Sequence, residues 1–224
     1  MTDKNNIKLK QKEIASAMEM MISGKKDEAE EKLKNLEKKY NKDIIIKQNL
    51  SVVLHQNGKS EKAILKLHEC IKIDPKEFSN YHNIGLCYQK IGKMREAKSY
   101  YLKAVEVDKE KAHICLTLLG QIYFGEGNYV NSLKAYQQVI EINGKDAYSA
   151  NLGKGLCLAR LGYRNQAMEC LEHVVSLRPE EVDTNEALGN LYIYVGLIKK
   201  GNEILRNITG ELVFNTKDDK VTII

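Results

Sequence analysis

The chain has 224 residues, 43% of them apolar, which is enough for the packed core of one or two domains. Two prolines, no tryptophan and abundant Leu, Lys, Glu, Ala and Ile favour helix over sheet. The net charge of +5 is uneven, with 13 basic and 8 acidic side chains in residues 44–111. No basic run interleaved with aromatics marks a nucleic-acid partner.

Residues 1–9 are polar and lysine-rich, with no apolar core behind them. They read as a disordered N-terminus and not as a secretory signal. From Lys10 onward a glycine recurs at Gly24, Gly58, Gly92, Gly127, Gly162 and Gly196, at spacings of 34, 34, 35, 35 and 34. Seven residues before each stands a small residue: Ala17, Ser51, Gly85, Gly120, Gly155 and Gly189. Five residues after each stands another: Ala29, Ala63, Ala97, Ser132, Ala167 and Gly201. Large side chains keep step with them. Met20, Leu54, Tyr88, Tyr123, Leu158 and Tyr192 precede the glycine by four, and Leu33, Leu67, Tyr101, Tyr136, Leu171 and Leu205 follow it by nine.

A period of this length signals stacked supersecondary units. Each unit reads as helix, glycine turn, helix, because glycine takes the left-handed conformation that ends a helix without a Cβ penalty. Small residues let the two helices approach, and the large ones fill the space beside them. The units run 10–43, 44–77, 78–111, 113–146, 148–181 and 182–215, with Ala112 and Ala147 as single-residue insertions. Pro75 and Pro179 follow second helices, where proline prevents continuation. The tail, 216–224, either frays, forms a small hairpin with 211–214, or adds its last residues to a partner's sheet edge.

The longest nearly apolar run, 191–198, is far short of the ~20 residues needed to cross a bilayer, so membrane insertion is not expected. Five scattered cysteines without a C-x-x-C pair suit a reducing cytoplasmic setting. Cys70, Cys87 and Cys157 stand at packing positions and read as small buried hydrophobes. No nucleophile elbow, phosphate-binding glycine loop or His-Glu-x-x-His run occurs, so neither an enzyme, a small-molecule substrate nor a cofactor is expected. His55 and His82 lack a third ligand at metal-binding spacing, and no metal is expected either.

The pattern resembles the tetratricopeptide repeat. The third unit carries the resemblance best, with Tyr81, Ile84, Gly85, Tyr88, Gly92, Ala97, Tyr101 and Ala104, and Lys109 where proline is usual. The fourth offers Leu119, Gly120, Tyr123, Gly127 and Tyr136. The outer units depart from the pattern: the first has Glu13 and Ser16 at early hydrophobic positions, and the sixth has Gly201 in place of alanine and a polar second helix. The resemblance implies an all-α fold, a right-handed α-solenoid of about six helix-turn-helix repeats with a short C-terminal tail. It also implies a concave groove lined by the first helix of each repeat.

That groove would present Gln48, Asn49 and His55 from the second repeat and His82, Asn83, Gln89 and Lys90 from the third. Thr117, Gln121 and Phe124 would come from the fourth, Leu152, Leu156 and Arg160 from the fifth, and Asn190 and Tyr194 from the sixth. Asn49 and Asn83 are equivalent positions. They either grip an extended backbone or merely solvate a wet helix face, and Leu118 and Gly153 end the series. The family's carboxylate clamp is absent: Gln48, Val52, Ile114 and Leu118 occupy its basic and amide positions. The expected function is a protein-interaction adaptor that takes a partner peptide or helix in the groove. A scaffold that self-associates, or a chaperone for a secreted or assembled client, are the alternatives.

Overall fold

A computed structural model describes residues 3–209, so the tail and hairpin expected over 211–224 lie outside the described residues. Twelve helices occupy the described chain: α1 (Asp3–Ile22), α2 (Lys26–Lys39), α3 (Ile44–Gln56), α4 (Ser60–Ile73), α5 (Phe78–Lys90), α6 (Met94–Val107), α7 (Ala112–Gly125), α8 (Tyr129–Asn143), α9 (Tyr148–Arg160), α10 (Arg164–Leu177), α11 (Val182–Tyr194) and α12 (Ile198–Thr209). None is long and apolar enough to cross a membrane. The chain divides into two compact units, Met1–Cys115 and Leu116–Ile224, with the division inside α7.

Each hairpin turns on a marker glycine. All six have φ between +74° and +87°. The amide after the glycine then reaches back to the carbonyl of the large residue four before it, as in Lys93 N to Tyr88 O (2.9 Å) and Asn128 N to Tyr123 O (2.8 Å). The glycine's own amide bonds one residue further on, Gly92 N to Gln89 O at 3.1 Å. Together these two bonds satisfy carbonyls that a helix end otherwise leaves open. The large residue at that position therefore serves twice, packing with its side chain and closing the turn with its backbone.

The small-residue row is steric. A Cβ on Gly85 would lie 2.4 Å from the Tyr101 ring, and one on Gly155 or Gly189 would lie 2.8 Å from Leu171 or Leu205. The Tyr136 ring is held from both sides, 2.8 Å from where a Cβ on Gly120 would sit and 2.4 Å from one on Gly153. Gly201, out of pattern by sequence, has a cause in the same seam: its Cβ would meet the Gly189 carbonyl oxygen at 2.6 Å. Tyr101, Leu33, Leu67 and Leu171 are essentially inaccessible, each stabilising its hairpin by roughly 1.5–3 kcal/mol through burial.

In the first unit the hairpins α1–α2, α3–α4 and α5–α6 pack in sequence, with α1 also touching α3 and α3 touching α5. Ionic clasps tie the first hairpin to the second. Glu30 of α2 accepts from Asn57 (2.7 Å), Lys59 (2.8 Å) and Lys34 (2.7 Å). Glu37 accepts from Lys47 (2.8 Å) and Lys66 (2.9 Å), and Glu69 bonds the same two lysines. Burial pulls the Glu30 carboxyl upward, but its bonds to Lys34, Lys59 and Asn57 win and hold it down to about 2.

Helix α1 corrects the expected disorder over 3–9, for it begins at Asp3, while residues 1–2 lie outside the described residues. The reason is anchoring that the sequence alone hides. Asn6 accepts from the Tyr40 hydroxyl (3.0 Å), and Lys10 pairs with Asp43, which also caps α3 by accepting from Ile45 and Ile46. Glu13 and Ser16, polar where the pattern wants apolar groups, both meet the Lys32 ammonium at 3.1 and 2.9 Å.

The second unit stitches its hairpins with neutral and aromatic contacts. The Ser132 hydroxyl donates to Gly120 O (2.7 Å), and Cys157 lies 3.1 Å from that hydroxyl. Tyr148 hydrogen-bonds Thr184 while the Arg178 guanidinium sits 4.3 Å over its ring.

Two glycine classes should therefore fail differently. Gly153→Ala should lose about 1–3 kcal/mol by overpacking against Tyr136. Gly162→Ala, with open space around its Cβ but φ at +84°, should lose about 1–2 kcal/mol by backbone strain alone. A Tyr136→Leu background should relieve the first in urea unfolding and leave the second untouched. For Glu30→Gln the expected loss is roughly 1–2 kcal/mol at pH 7. Because the folded pKa lies below the unfolded value of 4.5, the wild-type advantage should be complete above about pH 5 and vanish as pH falls through about 2. Urea melts of both proteins at pH 7 and pH 3 measure this.

Candidate functional site

Between α3 and α5 of the first unit lies a cavity of about 130 Å³, lined by Ser51, Val52, His55, Gln56, Leu67, Asn83, Leu86 and Cys87. Leu67 lies nine residues after its marker glycine, as leucine does in four of the six hairpins. In the third and fourth hairpins the residue nine after the glycine is a tyrosine, whose ring packs on a glycine seven before the marker. In the second hairpin that pair is Leu67 and Ser51. The shorter side chain leaves unfilled the space that Tyr136 fills between Gly120 and Gly153. Asn83, which lines the hole, is the repeat equivalent of Gly153.

His55 sits at the polar wall. Its Nδ1 is 3.1 Å from the Ser60 hydroxyl and 3.4 Å from Cys87 Sγ. Burial pushes the Cys87 thiol up to about 11, so it keeps its proton. Burial first, and then the Lys90 charge, lower the His55 pKa and favour the neutral ring. Lys90 Nζ donates to the His55 carbonyl (2.9 Å), capping the end of α3 with a cation where the helix dipole favours one.

The other nominated residues of this unit have duties of their own. Gln48 donates to Asn80 Oδ1 (2.9 Å), tying α3 to α5. The Asn49 amide bonds back to Ile45 O on its own helix (2.8 Å). Gln89 accepts from the Tyr101 hydroxyl (2.7 Å). His82 stacks on Phe78 at 5.7 Å, and burial lowers its pKa against the opposing effect of a hydrogen bond to Asn83. Only His55 and Asn83 among the seven meet at the cavity.

In the second unit, Leu152 is half-buried against the cluster around Leu158, Leu171 and Leu188. Phe124 makes an edge contact with Tyr129 at 5.3 Å. Thr117 and Leu156 are half-buried, whereas Gln121, Arg160 and Asn190 are exposed. Tyr194 is 68% exposed under the Arg164 guanidinium at 4.8 Å. Sequence reasoning passed over Val52 and Leu86. They stand six residues before their glycines, the row that supplied Gln121, Leu156 and Asn190, so the signal was present.

The tetratricopeptide repeat family is matched twice, over residues 76–145 and again over 148–181. This chain is a tetratricopeptide repeat protein. Anaphase-promoting complex subunit 3 of Schizosaccharomyces pombe is 22% identical over 68% of this repeat chain, which spans only 22% of that protein. The crystal structure of a tetratricopeptide repeat protein from Parabacteroides merdae superposes with a TM-score of 0.73 at 19% identity, covering 90% of this chain and 79% of that one. YrrB, described as a tetratricopeptide repeat protein with an unusual peptide-binding site, gives 0.67 at 21% identity over 80% of this chain and 93% of its own. These structural likenesses establish a shared fold.

The histidine in the cavity wall makes the first unit pH-sensitive. A folded pKa below the unfolded value means that the stabilisation is present above about pH 6.5 and lost as pH falls through the folded pKa. Between pH 7.5 and 5.5 the wild-type protein should thus lose more thermal stability than His55→Gln, as followed by circular dichroism.

Proposed function

We propose that this repeat protein acts by binding and not by catalysis, holding a partner polypeptide against α3 and α5 with one side chain in the cavity between them. The observation that carries the reading is the hole where the seam lacks its aromatic ring. Apolar walls from Val52, Leu67 and Leu86 suit an aliphatic or small aromatic group, and cavities of about 150 Å³ accept a benzene-sized one. The rim pairs Asn83 and Gln56, amides that can both donate and accept, with the His55 ring, so a backbone passing the hole would find partners. Its thiols support a non-catalytic role, because burial holds Cys70 and Cys87 near 11 and Cys115 near 12, far from thiolate chemistry. The kinship with a subunit of a multiprotein complex and with a peptide-binding repeat protein points the same way.

The hole can be closed from inside with side chains the molecule already uses. Ser51→Gly combined with Leu67→Tyr reproduces the Gly85–Tyr101 pair of the next hairpin. Peptides selected against the wild-type chain by display should bind this variant at least roughly tenfold more weakly, the loss of about 1.4 kcal/mol from one buried anchor. Equal affinity would remove the cavity from the binding site.

A further inference from the structure

We infer that the segment captured at the α3–α5 cavity is acidic: an aliphatic anchor residue flanked by aspartate or glutamate side chains. This rests on the binding reading above and names the chemistry of its partner. The first-helix residues that line the cavity, on α3 and α5, include no carboxylate. On α1 the equivalent rows present Ala15, Met18 and Ile22, the last 80% exposed, with a single carboxylate, Glu19, in the row of Cys87.

Cations stand along the glycine-turn edge. The residue after the glycine is lysine in all three hairpins of this unit, Lys25, Lys59 and Lys93, and Asn128, Tyr163 and Leu197 in the other unit. Lys59 is neutralised by Glu30 at 2.8 Å. Among the described residues Lys25, Lys93 and Lys90 are exposed without a carboxylate partner, and the Lys90 ammonium is held by the backbone carbonyl of His55, whose side chain lines the cavity. A basic flank here would meet these three lysines. An acidic one would pair with them and with any fraction of His55 that is protonated. The surrounding segment, 44–111, carries the chain's basic excess, so the longer-range field has the same sign and steers the same partner.

The test uses the full chain and a display library of short peptides with one fixed leucine and randomised flanks. Wild-type protein should enrich Asp and Glu over Lys and Arg beside the leucine. The selected peptides should bind more weakly as salt rises, because exposed pairs are screened within about 8–10 Å. Lys90→Glu with Lys93→Glu should bind those peptides roughly tenfold more weakly, as several exposed pairs change sign. Its own selection should turn toward basic flanks.

Leucine peptides without charge bias that nonetheless fail to bind the Ser51→Gly, Leu67→Tyr variant would overturn the acidic partner and leave the cavity reading standing. Peptides that bind wild type and the filled variant equally would overturn both. Concentration-dependent self-association in sedimentation that the filled variant abolishes would place a second copy in the cavity, and the acidic partner would again be wrong.

Discussion

Backbone must pass closer to an aromatic ring than any side chain would allow: that constraint, met at Gly85 against Tyr101 and on both sides of Tyr136, organises the rest of the molecule. Helices that approach this closely leave no slack in the seam, so the register of each hairpin is set by which residue lies opposite which ring. The left-handed turn then becomes a requirement, since the second helix must return at a fixed place. Positive φ at the marker glycine and a small residue in the seam, glycine in four hairpins and Ala17 or Ser51 in the other two, are two demands of the same geometry, which is why both recur with the same period.

The two units meet the demand of joining one hairpin to the next by different chemistry. The first uses carboxylates shared between lysines of adjacent hairpins, as at Glu30 and Glu37. The second uses hydroxyls, ring faces and a guanidinium over tyrosine. Such a division makes the first unit's seams sensitive to acid and salt, and the second's dependent on shape. It also accounts for where the usable cavity lies. The second hairpin keeps Leu67 and Ser51 in place of ring and glycine, and its cohesion comes from the ionic network across α2, α3 and α4, so an unfilled space there is tolerated.

Much of this was legible in the sequence because the signals were periodic. Glycine and large-residue rows fixed the helix count, the turns and the pairing of Gly85 with Tyr101, and the resemblance supplied the family. Pairs between residues with no periodic relation were invisible: Lys10 with Asp43 and Lys32 with Glu13 are read only in three dimensions, and so the order of α1 was underestimated. The groove nominations were selective about polarity. By favouring amides and histidines in the second and third repeats they passed over Val52 and Leu86, which make the cavity walls. The glycine that follows Leu118 in the asparagine row acquired a cause, since at Gly153 a side chain would collide with the Tyr136 ring.

The buried thiols carry a practical consequence. Cys70, Cys87, Cys115, Cys157 and Cys170 fall on α4, α5, α7, α9 and α10, and burial raises the pKa of every one. The four buried ones, Cys70, Cys87, Cys115 and Cys157, react with an alkylating reagent only when their own helices swing away from their neighbours, whereas Cys170 is partly exposed. The protein thus carries a native set of clocks along its length, and the order in which those sulfurs are labelled would chart which hairpins open first, without a probe being introduced.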